Sequence, residues 1–128
     1  MSEPGFPIPP DESERLAALQ EYRILDTPAE PAFDDLARLA ARICGVPIGV
    51  VSFVDADRVW HKARVGIDTD ELPRSMSLCS LATARKELFV LEDLTREPEF
   101  KTHPLVVGEA GFRFFAAQPL LTPTNHSL

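Results

Sequence analysis

Apolar side chains recur at helical spacing in two stretches near the start of the chain. In residues 31–44 the recurring side chains are Phe33, Leu36, Leu39, Ala40 and Ile43. They fall on one side of a helix that Pro31 can begin, since the missing N–H of proline needs no partner in a first turn. Gly45 suits the end of this helix. A shorter helix is predicted after Asp11 and Glu14, which have the spacing of a capping box.

The following stretch changes from helical to strand-like periodicity. Residues 48–54 form a β-rich run, residues 55–57 suit a turn, and residues 58–65 alternate, which predicts a β-hairpin. Strict alternation puts Val59, Ala63 and Val65 on one face of the second strand and Arg58, Trp60, Lys62 and Arg64 on the other. Further on, the pattern predicts a polar loop over 66–73, a short helix capped by Ser75 or Ser77 and ending near 85, a strand over 88–91, an acidic loop over 92–99 and a strand region over 112–121. This order predicts an α+β fold in which helices pack on an antiparallel sheet.

Length and composition fit one globular domain. The chain has 128 residues, of which 45% are hydrophobic and 26% charged. Residues 1–10 contain four prolines and no periodicity, so they predict a flexible proline-rich lead, with the domain in residues 11–128. No apolar run reaches the ~20 residues of a membrane span, and the first residues lack the basic and apolar regions of a signal peptide.

Charge and cysteine content narrow the class of protein further. Residues 1–35 carry nine acidic side chains and two arginines, whereas the remainder is balanced, so no basic patch for nucleic acid is expected. Cys44 and Cys79 are too few for a disulfide framework and too isolated for a zinc site. We therefore expect a cytoplasmic protein without a membrane or nucleic-acid partner.

Recognised enzyme motifs are missing from the sequence, which favours a non-enzymatic role. There is no glycine-rich phosphate loop, nucleophile elbow or metal-binding histidine pair, and His61, His103 and His126 are isolated. Cys79 is either a reactive thiol near a helix start or a small buried residue. Trp60 either covers a ligand pocket or is shielded by the aliphatic stems of neighbouring basic side chains.

Taken in order, a series of short segments resembles a GAF domain, of the bacterial kind found ahead of histidine kinases and diguanylate cyclases. The series runs through residues 22–36, 44–55, 60, 62–66, 71–74, 77–79, 93, 98–100, 104–106, 113–115 and 119–120. No single segment is specific, but the whole series in register is, and it covers residues 14–128.

The resemblance implies an antiparallel sheet with helices on one face and, on the other, a cleft covered by short helices and loops. Members of the family bind cyclic nucleotides, tetrapyrroles or other small molecules, and the role implied is sensory. Carried over residue by residue, the candidate ligand-binding residues are Trp60, Cys79, Phe115, Phe53 and Arg113. The cofactor stays unknown, and Ser80 after Cys79 argues against an attached bilin. Relatives continue past the position of Leu128 into another apolar strand, so we expect a sheet that lacks its C-terminal strand.

Three functions fit these residues. The first is a sensory module of bacterial signal transduction that binds a small molecule or transmits a signal through its N-terminal helices. Its expected partners are a second copy, forming a homodimer, and an output kinase or cyclase domain in a parent or partner protein. The second is a ligand-free dimerisation or interaction module whose cleft is filled by its own side chains. The third is a thiol redox protein that uses Cys79.

Overall fold

The chain folds into short helices and two small antiparallel sheets. The computed structural model describes residues 8–98, 100–109 and 111–128, so the first seven residues of the predicted flexible lead lie outside the described residues. In the described part, the helices are α1 (Glu12–Tyr22), α2 (Pro31–Cys44), α3 (Cys79–Arg85) and α4 (Pro104–Val107). The strands are β1 (Gly49–Val54), β2 (Arg58–Val65), β3 (Glu71–Pro73), β4 (Phe89–Leu91) and β5 (Phe115–Ala117), and 3-10 turns occupy Arg74–Met76 and Leu94–Arg96. The predicted α+β class is confirmed.

The predicted hairpin forms the centre of the larger sheet. Strands β1 and β2 pair antiparallel, β3 pairs with the start of β2, and β4 pairs with β5 in a separate two-stranded sheet. At the end of the chain, the Val54 N–H donates to the Leu128 carbonyl at 2.8 Å, so Leu128 lies at the outer edge of β1. No strand in the described residues joins the two sheets.

A bulge in the hairpin overturns the predicted alternation along β2. Val51 pairs with Ala63, whereas the next β1 residue, Ser52, pairs with His61, which leaves Lys62 as the extra residue. Because paired residues share a face, Ala63 lies on the same face as Trp60, not opposite it. The prediction from strict alternation was wrong because nothing in a single strand's pattern records an extra residue opposite its partner.

One face of the larger sheet is covered by α1 and α2, and we call it the helix face. Leu19 of α1 packs there on Phe53 and Trp60. Helix α2 lies so close that a Cβ added at Gly49 would stand 2.3 Å from the Ala37 carbonyl oxygen. Only small side chains fit such an approach, and α2 buries Ala37 and Ala41 against the sheet.

This close approach turns the large apolar side chains of α2 outward. They are Leu36, Leu39 and Ile43, with 53%, 51% and 75% of their surface exposed. We call these three residues the α2 stripe. The apolar spacing predicted the helix correctly, but the stripe is not the surface that packs on the sheet.

The opposite face of the sheet is covered by residues 74–86, which we call the cover segment. It comprises the 3-10 turn, α3 and the helix-ending residue Lys86. The cover segment contributes Leu78 and Leu81 to a second apolar cluster, which Leu94, Phe100 and Val106 complete. The domain therefore has two small cores, one on each side of the hairpin.

Several local predictions differ from the structure because contacts between distant parts of the chain override them. Asp11 precedes α1 but makes no side-chain capping bond, because its carboxylate pairs with Lys86. Strand β3 forms within the predicted loop at 66–73, where it is held by pairing with β2. Of the strand region predicted over 112–121, only β5 forms, and the short helix α4 was not predicted. Helix α3 is capped by neither Ser75 nor Ser77, because its N-cap residue is Leu78, which makes no side-chain capping bond. Ser77 instead precedes the cap and accepts a hydrogen bond from the Cys79 N–H at 3.2 Å.

Candidate functional site

Phe53 and Trp60, two of the predicted ligand-binding residues, lie together on the helix face. They pair across β1 and β2 and are 5% and 7% exposed. Their neighbours are Leu19, Ile24 and Leu25, which belong to α1 and the turn after it. Both aromatic side chains thus contribute to the core beneath α1.

Phe115 and Arg113 lie at the other core. Phe115 is half-buried against the apolar cluster beside the cover segment. Arg113 donates from Nη1 to the carbonyl oxygens of Val106 at 3.0 Å and Phe112 at 3.1 Å. The structure therefore brings the five predicted residues into separate groups, and their role as ligand contacts stays a prediction.

Cys79 begins α3 and packs against β1 from the cover side. Burial raises the pKa of its thiol, and hydrogen bonds with the hydroxyls of Ser77 and Ser52 only partly oppose this. A raised pKa keeps the thiol protonated near neutral pH, which is the opposite of what a thiolate nucleophile requires. Cys44 ends α2 and is exposed.

The sequence patterns did not predict a role for His61, which the structure places in a polar environment between the sheet and the cover segment. Its Nδ1 lies 2.7 Å from Ser52 Oγ, and the residue is 7% exposed. Its Nε2 is buried and has no hydrogen-bond partner among the described residues. Burial lowers the pKa of His61, with Arg64 acting in the same direction and Asp70 against it. The imidazole is therefore neutral at physiological pH.

Ser52, His61, Ser77 and Cys79 form one polar cluster between the sheet and the cover segment, in which His61 and Ser77 are buried and Ser52 and Cys79 are half-buried. Ser52 contacts both His61 and Cys79, so it joins the strand pair to α3. A signal for this cluster was present in the sequence, since Ser52 is a polar residue in the otherwise apolar run of β1. Its partner could not be predicted because the bulge sets the register.

An open cavity of about 450 Å³ follows β2. Five consecutive residues, Trp60 to Arg64, line it, together with Asp26, Thr27 and Ala29 of the α1–α2 connection, Asp34 of α2 and Asp70. Lys62 on its wall is already bound, because its Nζ lies within 2.7 Å of Thr27 Oγ1, the Pro28 carbonyl oxygen and Glu30 Oε2. The cavity is thus a polar groove whose buried cation holds the α1–α2 connection against the sheet.

Two ion pairs tie the ends of the cover segment to the start of α1, at the cap residue Asp11 and the first helical residue Glu12, and we call them the clamp pairs. At one end, Arg74 donates to both carboxylate oxygens of Glu12, with Nη2 to Oε1 at 3.2 Å. At the other end, Lys86 Nζ lies 2.9 Å from Asp11 Oδ2. This hydrogen bond is the main reason why the pKa of Asp11 is lowered, although burial opposes it.

Glu12 also holds a fully buried arginine. Arg15 is 0% exposed, and its Nε lies 3.0 Å from Glu12 Oε1. Arg15 Nη1 donates to the carbonyl oxygens of Val54 at 2.7 Å and Ser127 at 3.3 Å. Burial alone would raise the pKa of Glu12, but hydrogen bonds and charge from Arg74 and Arg15 outweigh it and lower the pKa to about 2. One carboxylate thus links α1, the cover segment, the end of β1 and the C-terminal residues.

Comparison with known proteins identifies the family. Residues 28–128 match the GAF domain family, and the chain belongs to it. A cyclic di-GMP phosphodiesterase of Pseudomonas aeruginosa is 34% identical over 122 residues, which make up 95% of this chain and 21% of that protein. This chain therefore spans about a fifth of the length of that relative, and the resemblance to GAF domains is confirmed.

The described residues contain neither a membrane-spanning helix nor a metal-binding cluster. None of the described helices is long and apolar enough to cross a membrane. In the same part of the chain, no three side chains of histidine, cysteine, aspartate or glutamate are grouped to hold a metal ion. The cytoplasmic location expected from the sequence stays a prediction.

Proposed function

We propose that this GAF domain is a regulatory module of bacterial signal transduction, in which the position of the cover segment controls the position of α1. The similarity to a cyclic di-GMP phosphodiesterase supports an output in cyclic di-GMP turnover. The observation that carries the coupling is that both ends of one segment are ion-paired to adjacent residues at the start of one helix.

The clamp pairs make the cover segment and α1 move together. Arg74 and Lys86 stand 12 positions apart in the sequence, yet their acidic partners Glu12 and Asp11 are consecutive. Both pairs are partly shielded from water, with side-chain exposures of 10% to 29%, so water screens them less than pairs on the open surface. A shift of the cover segment must therefore displace the first turn of α1 or break an ion pair.

The polar cluster is the place where a bound ligand would act on the cover segment. Its position depends on hydrogen bonds between Cys79, Ser77 and Ser52, and beside them the Nε2 of His61 lacks a partner. A ligand that gives this nitrogen a partner would bind one arrangement of the segment better than another. Such differential affinity is the only means by which a ligand can shift a conformational equilibrium.

Hydrogen exchange of the α1 amides tests the coupling. Lys86→Gln removes one clamp pair from the cover segment, and we expect faster exchange both in residues 74–86 and in the first turns of α1. Lys101→Gln is the matched control, because Lys101 is exposed and lies outside both elements. Faster exchange confined to the cover segment, with α1 unchanged, would overturn the proposed coupling.

Small-molecule binding in the groove along β2 is a second candidate function. The supporting observation is that Trp60, the single tryptophan of the chain, lines this cavity of about 450 Å³. Titration with cyclic GMP and cyclic AMP, the ligand class that the family suggests, should change Trp60 fluorescence and raise the unfolding temperature together. If neither nucleotide changes either signal, cyclic nucleotides are excluded as the ligands.

A further inference from the structure

The groove along β2 follows the edge of the strand and does not lie over one of its faces. Side chains of consecutive strand residues point to opposite faces, so a cavity over one face contacts every second residue. This groove is lined by five consecutive residues, Trp60 to Arg64. Contact with both faces in turn indicates that it meets the backbone edge of the strand. Its opposite wall is the α1–α2 connection, which contributes Asp26, Thr27 and Ala29.

This edge of β2 lacks a strand partner over its second half in the described part of the chain. Strand β3 pairs with residues 58–60, and one further hydrogen bond joins the His61 N–H to the Asp70 carbonyl oxygen at 2.8 Å. Residues 62–65 extend β2 beyond that pairing, and β1 lies only on their other side. Backbone N–H and C=O groups along an open edge are a template for another strand. Four strand residues cover roughly 13 Å, so the edge has room for an extended segment of about four residues.

The charges beside the groove are arranged with the carboxylates outward. Three ion pairs border it, and each contributes at least one lining residue; they are Arg58–Asp26, Lys62–Glu30 and Arg64–Asp70. The cations of these pairs are at most 34% exposed, whereas the carboxylates are 57% to 76% exposed. Asp34 adds a half-buried carboxylate to the wall, and it has no hydrogen bond or ion pair with the described residues. The groove therefore presents negative charge to the solvent, which favours a cationic partner.

We infer that this groove binds an extended, positively charged segment of a partner protein, which adds to the open edge of β2 as a short strand. Main-chain hydrogen bonds to residues 62–65 supply affinity, and the exposed carboxylates select lysine and arginine side chains. Of the two occupants considered for the groove, these carboxylates favour such a segment over an anionic cyclic nucleotide. The inference does not rest on the clamp pairs, so it can fail while the proposed coupling holds.

The size of the contact predicts weak binding. A segment of about four residues buries less than the roughly 1,200 Å² at which stable interfaces begin. We therefore expect a dissociation constant between about 10 μM and 1 mM, which suits a reversible contact between a regulatory domain and its partner.

An NMR titration of the ¹⁵N-labelled chain with a short peptide tests the site. The probe is a hexapeptide of alternating lysine and valine, acetylated and amidated at its ends. Its addition should shift the amide signals of residues 62–65, and the dissociation constant should rise with ionic strength. The same peptide N-methylated at every backbone amide keeps its charges but loses its main-chain donors, so it should bind at least about tenfold more weakly. Equal affinity of the two peptides, or unchanged signals at 62–65, would overturn strand addition.

Two neighbouring acids of α2 test the role of charge. Asp34→Asn removes the unpaired carboxylate of the wall and should raise the dissociation constant of the peptide about threefold. Asp35→Asn is the matched control, because Asp35 pairs with Arg38 and does not line the groove, and it should leave the affinity unchanged. Equal weakening in both variants would reveal only a general attraction to the acidic surface and would overturn the inference. Without peptide, shifts at 62–65 that grow with protein concentration would place a second copy in the groove and would overturn it as well.

Discussion

Removing the Glu12 carboxylate should destabilise the domain by an amount that depends on pH. We consider Glu12→Gln, which keeps the size of the side chain but not its charge. The carboxyl group has a pKa of about 2 in the fold against an ordinary value of 4.5. At about 1.4 kcal/mol per pKa unit, this difference corresponds to roughly 3 kcal/mol. Because 20% of the side chain is exposed, solvent reduces the figure, and we expect about 2 kcal/mol.

The pH dependence has a definite sign. A carboxyl group whose pKa is lowered on folding stabilises the fold fully above its unfolded pKa and loses that contribution as the pH falls through the folded value. The stability difference between wild type and Glu12→Gln should therefore be largest at neutral pH. It should shrink steadily between pH 4.5 and about 2.

Urea unfolding followed by circular dichroism measures this difference directly. Glu14→Gln is the matched control, because Glu14 is an exposed acid in the same helical turn, and it should change stability by less than about 0.5 kcal/mol at neutral pH. The reasoning is refuted if Glu12→Gln costs no more than the control, or if its cost is the same in acid as at neutral pH.

Three other predictions concern buried groups. Because burial lowers the pKa of His61, the unfolded chain takes up a proton at a higher pH than the folded one, and the free energy of unfolding should fall as the pH drops through about 6.5. His61→Gln should make this fall shallower in urea titrations at several pH values. An unchanged slope would contradict the lowered pKa of His61. His103 has a lowered pKa for the same reason, so the slope should not vanish. With a thiol reagent, the exposed Cys44 should react faster in the native protein than the half-buried Cys79, because burial raises the pKa of the Cys79 thiol; equal labelling rates for the two thiols would contradict this. Gly49→Ala should lower the free energy of unfolding by about 1–3 kcal/mol or more, because the added Cβ would collide with the Ala37 carbonyl oxygen. An unchanged unfolding midpoint would show that α2 can move away.

Local periodicity predicted most of the secondary structure. The hairpin and α2 were predicted because their apolar positions repeat over enough residues to distinguish a strand from a helix. The strand β3 was missed because three residues carry no period, and it exists only through pairing with β2. The outward direction of the α2 stripe was missed as well. It depends on Ala37 and Ala41 meeting Gly49, a contact between two elements that no helical pattern contains.

The candidate site was harder to predict than the fold. The family resemblance predicts Trp60 and Phe53 as cleft residues, but their contacts with Leu19 form between the hairpin and α1. The clamp pairs join residues 62 and 75 positions apart, and single charges in a sequence do not identify their partners at such distances. His61 is isolated from other histidines and cysteines in the sequence, and its contact with Ser52 could not be predicted because it arises from the bulge.

The most direct test of the regulatory role measures an enzyme rate. This chain would replace the matching fifth of the Pseudomonas aeruginosa phosphodiesterase, and cyclic di-GMP hydrolysis would be compared among chimaeras that carry the wild-type sequence, Lys86→Gln or Lys101→Gln. If the cover segment controls α1 and α1 controls the output, Lys86→Gln should change the rate by about fivefold or more, while Lys101→Gln leaves it unchanged. Equal rates in all three chimaeras, with Lys86→Gln still folded, would contradict the proposed coupling.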